Sequence, residues 1–343
     1  MRNILILILI SGIWSCKPEK TQVQNVATFA GQQVTGVTVS DKGRVFANFP
    51  RWREGVKHAV IEVSENGTST AYPDQEWNNW EMGKTVSDSV FVAIQSVVAF
   101  ENILYVLDTR NPLFKGVIDS PRVFAFDLSS GQLIKTYMLS KESFHKDSYI
   151  NDLRVDKKNG KIYFTDSGHA GIVVVDIKSG KSYRVLDNHP STLAETDHLT
   201  FKNGVWKNTV HSDGIALDTQ NDMLYFHALT GYNLYALSTE KLITENNKEI
   251  EESVKLIAKT SAPDGMIIDP TGNLFFADLE NQKIMKLAIS SGKISVVAEG
   301  ENIKWADTFS IYKDELYFTN SRINEAKGDI SEMEFSIHKI KIN

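Results

Sequence analysis

PDGMIIDPTGNLFFAD (Pro263–Asp278) sets a carboxylate, Asp264, in front of a short apolar strand. It breaks at Asp-Pro-Thr-Gly-Asn and returns as a second apolar strand that ends on another acid. The break is a turn signal, and Leu-Phe-Phe favours a pleated, half-buried surface. The same template recurs as GVTVSDKGRVFANF from Gly36, QSVVAFENILYVLD from Gln95 and NDLRVDKKNGKIYFTD from Asn151. It recurs again as SDGIALDTQNDMLYFH from Ser212 and ADTFSIYKDELYFTN from Ala306. From Gln95 through Asn151, Asp213 and Asp264 to Asp307 the steps are 56, 62, 51 and 43 residues. That is the period of a propeller blade with variable loops.

Six copies predict an all-β chain folded as a six-bladed β-propeller. Blades are expected at about 34–75, 90–140, 148–190, 210–260, 262–300 and 304–343. The last shows three strands, and VQNVATFA (Val23–Ala30) is expected to supply the fourth and close the ring, which protects sheet edges. A β-sandwich would not require six copies of one template. GIVVVDIKSGKSYRVL (Gly171–Leu186) reads as an outer hairpin. Its Ser-Gly-Lys-Ser is a turn, since no upstream glycine has the spacing of a phosphate loop and no helix follows. Thr239–Lys255 is a charged insertion, expected to form a helical turn and a mobile loop.

The 343 residues are 42% hydrophobic and 23% charged, with net charge −6 and no basic block. That excludes the clustered Lys/Arg face of a nucleic-acid binder. GxSxG, HExxH and CxxC are absent. At the start, Arg2 precedes an apolar run, Ile4–Ile10, too short to cross a bilayer and suited to a signal peptide over residues 1–15. Cys16 is the only cysteine, and Ser15 precedes it. The site resembles a bacterial lipobox, so residues 16–27 are expected to be a lipidated cysteine and tether, with the propeller over 28–343. An ordinary signal peptide is the other reading. The expected location is outside the cytoplasm, as a periplasmic or outer-membrane-anchored lipoprotein or an extracellular protein. The lipid at Cys16 would be the sole membrane contact.

In a propeller the innermost strand of each blade lines a central channel. Polar residues at the starts of those strands therefore converge. Gln95, Asn151, Asp213 and Asp264 are the expected ligands of a divalent cation, with Asp307 beside them. Packed carboxylates repel unless something offsets them, and Ca²⁺ suits a loose oxygen cage. Asp-Gly and Asn-Asp also form turns, in which the acid merely bonds backbone amides. Asp213, Asp264 and His211 are the candidate proton carriers if the site is catalytic. His227, Tyr232, Asp307, Phe309 and Asn320 are candidate ligand-binding residues, and Trp305 is a further aromatic wall.

KGRVFANFPRW (Lys42–Trp52), YINDLRVD (Tyr149–Asp156) and FTDSGHAGIVVVDIKSGKSYRVLDNHPS (Phe164–Ser191) resemble the yellow/major royal jelly protein family. SDGIALD (Ser212–Asp218) and YFHALTGYNLYAL (Tyr225–Leu237) extend the likeness over nearly the whole chain. The resemblance implies a six-bladed, exported propeller. Some members convert dopachrome, and others bind biogenic amines in the central channel; bacterial members are described as dopachrome-tautomerase-related. More distantly, the chain is similar to gluconolactonase/senescence-marker-protein propellers, which hold a divalent metal through a Glu, two Asn and an Asp. That likeness implies Asn151 at one Asn ligand, Asp213 in place of the other and Asp264 at the Asp. Gln95 stands where Glu is expected, a departure that counts against lactonase chemistry. Three functions follow as expectations: a funnel that binds a small polar or aromatic metabolite, a metal-assisted lactonase or tautomerase, and a protein-interaction scaffold. The sequence leaves the oligomeric state open.

Overall fold

A computed structural model of the chain describes residues 22–342. The signal-peptide and lipidation readings, Cys16 included, lie outside the described residues. Six four-stranded antiparallel sheets are arranged around an axis. Their innermost strands are Gly36–Val39, Ile94–Phe100, Ile150–Asp156, Ser212–Asp218, Met266–Ile268 and Ala306–Tyr312. Each touches the next, and the sixth touches the first, so the ring is closed.

Closure uses the strand at the beginning of the described chain. Gln24–Ala30 pairs antiparallel with Glu334–Lys341, from Gln24 opposite Lys339 to Ala30 opposite Glu334. It completes the sixth blade as its outermost strand. The Gly171–Leu186 hairpin also forms, as strands Gly171–Asp176 and Ser182–Val185, with Gly180 at positive φ in its turn.

The second strand of each blade is buried on both faces, which is why KIYFTD, MLYFHA and NLFFAD read as continuous apolar runs. The core is layered between blades. Leu107, Val123 and Tyr137 of the second blade pack on Leu153, Phe164 and Val173 of the third. Each fully buried large side chain contributes about 1.5–3 kcal/mol of transfer free energy.

Two segments differ from expectation. The charged insertion forms the expected helical turn, Thr239–Leu242, and a second short helix, Asn247–Ser253, in place of a mobile loop. Leu242 and Ile250 are fully buried against Leu224, Phe226 and Leu237, which anchors it. An additional hairpin, His198–Phe201 with Gly204–Lys207, stands between the third and fourth blades. The blade template gives no sign of it.

Candidate functional site at the central funnel

Asp213 and Asp264 are each followed by glycine, and neither pair is a turn. Asp213-Gly214 lies within the strand Ser212–Asp218. A Cβ on Gly214 would come within 2.5 Å of the Asp264 carbonyl oxygen, and one on Gly265 within 2.5 Å of that of Asp307. The glycines let neighbouring inner strands approach, and Gly265 N donates to Asp307 O at 2.8 Å. Close approach draws the preceding acids together on the axis.

The floor carries a chain of polar contacts. Trp52 Nε1 donates to the Tyr149 hydroxyl at 2.6 Å, and that hydroxyl donates to Gln95 Oε1 at 2.8 Å. Gln95 Nε2 donates to Asn151 Oδ1 at 3.0 Å, and Asn151 Nδ2 to Asp213 Oδ2 at 2.6 Å. Asp213 and Asp264 both line the same small void at the end of this chain of contacts. The buried Trp305 indole donates to Asp264 Oδ2 at 2.6 Å. Asp307 Oδ1 accepts from Thr308 Oγ1 at 3.3 Å.

Burial dominates the electrostatics. Loss of water, then the charges of Asp264 and Asp307, push the Asp213 carboxyl well above its ordinary value. Burial lifts Asp264 to about 6 against the lowering effect of the Trp305 indole. Asp307 is raised by burial and then by Asp264. The adjacent cation, Arg154, is engaged elsewhere: Nη1 donates to Asp152 Oδ2 at 2.8 Å and Nη2 to the Met266 carbonyl at 2.6 Å. Asp152 also accepts from Ser96 Oγ at 2.7 Å.

A polar void of about 10 Å³ lies among Gln95, Asn151, Asp152, Asp213, Asp264 and Asp307, on the scale of a single water or ion. The donors are all oxygens, and three buried carboxylates lack a dedicated cation. The set fits a hard divalent ion. Asp213, Asp264 and Asp307 with the amide oxygens of Gln95 and Asn151 would hold it.

Above the floor opens a cavity of about 520 Å³. One wall is an aromatic stack. Trp52 and Phe114 lie 5.8 Å apart at 28°, and Phe114 and Tyr149 lie 4.9 Å apart at 29°. Phe114 is 59% exposed, so the stack retains an uncovered aromatic surface. Trp206, from the additional hairpin, lines the opposite side and packs edge-on against Trp305. Arg53 reaches the rim and donates to Gln33 Oε1 at 3.0 Å, while its buried Nε has no partner among the described residues.

The structure thus brings Gln95, Asn151, Asp213, Asp264 and Asp307 to one place. Of the other sequence-selected residues, Trp305 joins the floor through Asp264, and the rest are engaged away from it. Thr260 Oγ1 approaches His227 Nε2 at 2.8 Å, and the Ala228 carbonyl takes Nδ1–H at 2.7 Å. Burial lowers that imidazole to about 4. His211 Nδ1 accepts from Ala194 N at 3.0 Å, and burial lowers its pKa too. Tyr232 donates to Glu280 Oε2 at 3.2 Å, Phe309 packs on Phe318, and Asn320 Oδ1 accepts from Trp305 N. Sequence reasoning did not select Trp52, Arg53, Phe114, Tyr149, Asp152 or Trp206 as floor and wall residues.

Among curated relatives, the chain is 22% identical over 231 residues to major royal jelly protein 3 of Apis mellifera, covering 62% of this chain and 40% of that one. It is 24% identical over 229 residues to protein yellow of Drosophila melanogaster, covering 60% and 41%. The chain therefore spans less than half the length of either. Among solved structures, a gluconolactonase from Xanthomonas campestris superposes with TM-score 0.59 at 12% identity, covering 94% of this chain and 90% of the other. A regucalcin from Agrobacterium tumefaciens, described as a calcium-binding protein, gives 0.56 at 12%, covering 94% and 96%. At such identities these structures establish the shared propeller fold. The model of the family described as major royal jelly protein matches residues 93–343. Taken with the curated relatives, that match makes this chain a member of the major royal jelly protein family.

Proposed function

We propose that this chain is an exported propeller that binds a small aromatic or polar metabolite in its central funnel, above a divalent cation, Ca²⁺, held by the floor carboxylates. The observation that carries the reading is the pairing of three buried, cation-poor acids with a half-exposed aromatic stack across one cavity. Hard cations take oxygen ligands, and flat ligands lie on uncovered aromatic faces. A relative of this fold described as calcium-binding supports the ion. Export rests on the leader and on Cys16, where a lipid would be the membrane anchor.

A second reading is favoured by Asp264. A buried carboxyl raised to about 6, beside Asp213 in the same void, is poised for general acid–base work near neutral pH. A tautomerase or a lactonase of the gluconolactonase kind would use that pair. A bound cation would polarise a substrate carbonyl, and Asp213 and Asp264 would take and return the proton.

The test is a calorimetric Ca²⁺ titration of the purified protein and of Asp264→Asn, then a screen of catechol-derived quinones, aromatic amines and lactones. Saturable Ca²⁺ binding lost in the variant, with ligand binding but no turnover, supports the first reading. Turnover lost in the variant supports the second. Absence of Ca²⁺ binding in the parent sinks the cation assignment.

A further inference from the structure

A second cluster of ligating side chains stands outside the funnel floor. His145 follows the short turn Lys141–Ser143 ahead of the third blade, and its N–H donates to Ser148 Oγ at 2.8 Å. His169 lies between strands Lys161–Asp166 and Gly171–Asp176, with its N–H fixed by Asp166 Oδ1 at 3.0 Å. Asp187 follows the outer strand Ser182–Val185. Three separate segments thus place one ligand atom each within 4.8 Å of the others.

The imidazoles stack with centroids 3.8 Å apart. His145 Nε2 is 3.2 Å from Asp187 Oδ1, and His169 Nε2 is 3.6 Å from the same oxygen. On its far side His169 Nδ1 lies 3.1 Å from Asp147 Oδ1. That carboxylate takes the Nδ1 proton and leaves a lone pair on Nε2, the arrangement by which an outer carboxylate orients a metal-binding histidine. The Asn188 amide now donates to that lone pair at 3.0 Å and would have to turn away. Arg184 binds Asp187 Oδ1, but Oδ2 has no hydrogen-bond partner among the described residues. The side chains of His145 and Asp187 are 41% and 45% exposed, so an ion can reach them.

We propose that His145, His169 and Asp187 form a site for a divalent transition-metal ion of the zinc class on the rim of the third blade. Two imidazoles and one carboxylate suit Zn²⁺, Co²⁺ or Ni²⁺ and disfavour Ca²⁺. The remaining coordination positions would be water. The site is independent of the funnel reading. It would join the segments that carry Tyr149 and Ser167–Gly168, which line the funnel cavity.

The experiment titrates Zn²⁺ by calorimetry into the untagged protein, then follows Co²⁺ by absorption. One equivalent should bind. His169→Ala and His145→Gln should each weaken binding by about 100-fold, and Asp147→Asn by about 10-fold. Asp264→Asn should leave it unchanged. His145→Gln alters an exposed side chain and controls for a folding defect in His169→Ala, with circular dichroism reporting the fold of each. The proposal is overturned if the parent does not bind Zn²⁺, if both histidine variants bind as the parent does, or if binding disappears only in Asp264→Asn.

Discussion

Two sets of buried aspartates come from the same blade template and meet opposite fates. Asp108 and Asp166 end second strands; Asp213, Asp264 and Asp307 lie at or before the starts of inner strands. Asp166 Oδ1 accepts from the backbone N–H of Tyr149, Gly168 and His169, and Oδ2 from Arg184 Nη1 at 2.9 Å. Asp108 accepts from the N–H of Val92, Ala93 and Arg110, with the Arg110 guanidinium 3.3 Å away. These acids clamp the chain as it enters the inner strand. The funnel acids have few donors and no cation of their own. Burial alone therefore does not mark a functional carboxylate; a deficit of partners does.

The sharpest way to break the comparison is Asp166→Ala. It leaves the N–H groups of Tyr149, Gly168 and His169 without their acceptor and removes one of the two carboxylates that hold Arg184, so unfolding free energy should drop by about 3–5 kcal/mol in urea denaturation. Asp264→Asn should leave stability intact near pH 7.5 and remove a pH dependence. In the parent, the folded chain keeps a proton that the unfolded chain releases near pH 4. The raised pKa therefore adds stability fully present below that pH and lost as pH rises through about 6. The slope between the two amounts to on the order of 3 kcal/mol, and melting across that range in both proteins measures it.

Ca²⁺ should reverse that loss. At neutral pH, Ca²⁺ at a hundred times its Kd should stabilise the parent by about 2.7 kcal/mol and leave Asp264→Asn unmoved, as read from thermal midpoints. Tyr149→Phe is the mildest change. It removes one link between Trp52 and Gln95 and should cost about 1 kcal/mol, with Ca²⁺ affinity retained. A collapse of Ca²⁺ binding in that variant would show that Tyr149 organises the floor and not only its wall.

The fold was legible because each blade repeats polar residue, strand, turn and strand, and because Val23–Ala30 carried the pattern the last blade lacked. The floor was legible because inner-strand starts share a period. The wall was not. Trp52 and Tyr149 touch across 97 residues of sequence, and Phe114 is presented by a short turn at φ 54°. Trp206 rides on a hairpin outside the blade period. Such residues are set by loop geometry, which follows no repeat. His227 and Asn320 looked like funnel residues because each lies near the end of a second strand, yet both spend their polar atoms on neighbouring backbone or Thr260.

The strand Gln24–Ala30 has a consequence for how the molecule is made. Its partner, Glu334–Lys341, is the last strand of the described chain. During synthesis Gln24–Ala30 must wait, unpaired, until Glu334–Lys341 has been produced. Pairing so distant in sequence is slow, and an unpaired edge invites association with other chains. The ring therefore closes only when both strands are present, and a chain cut short of Glu334 leaves Gln24–Ala30 without its partner.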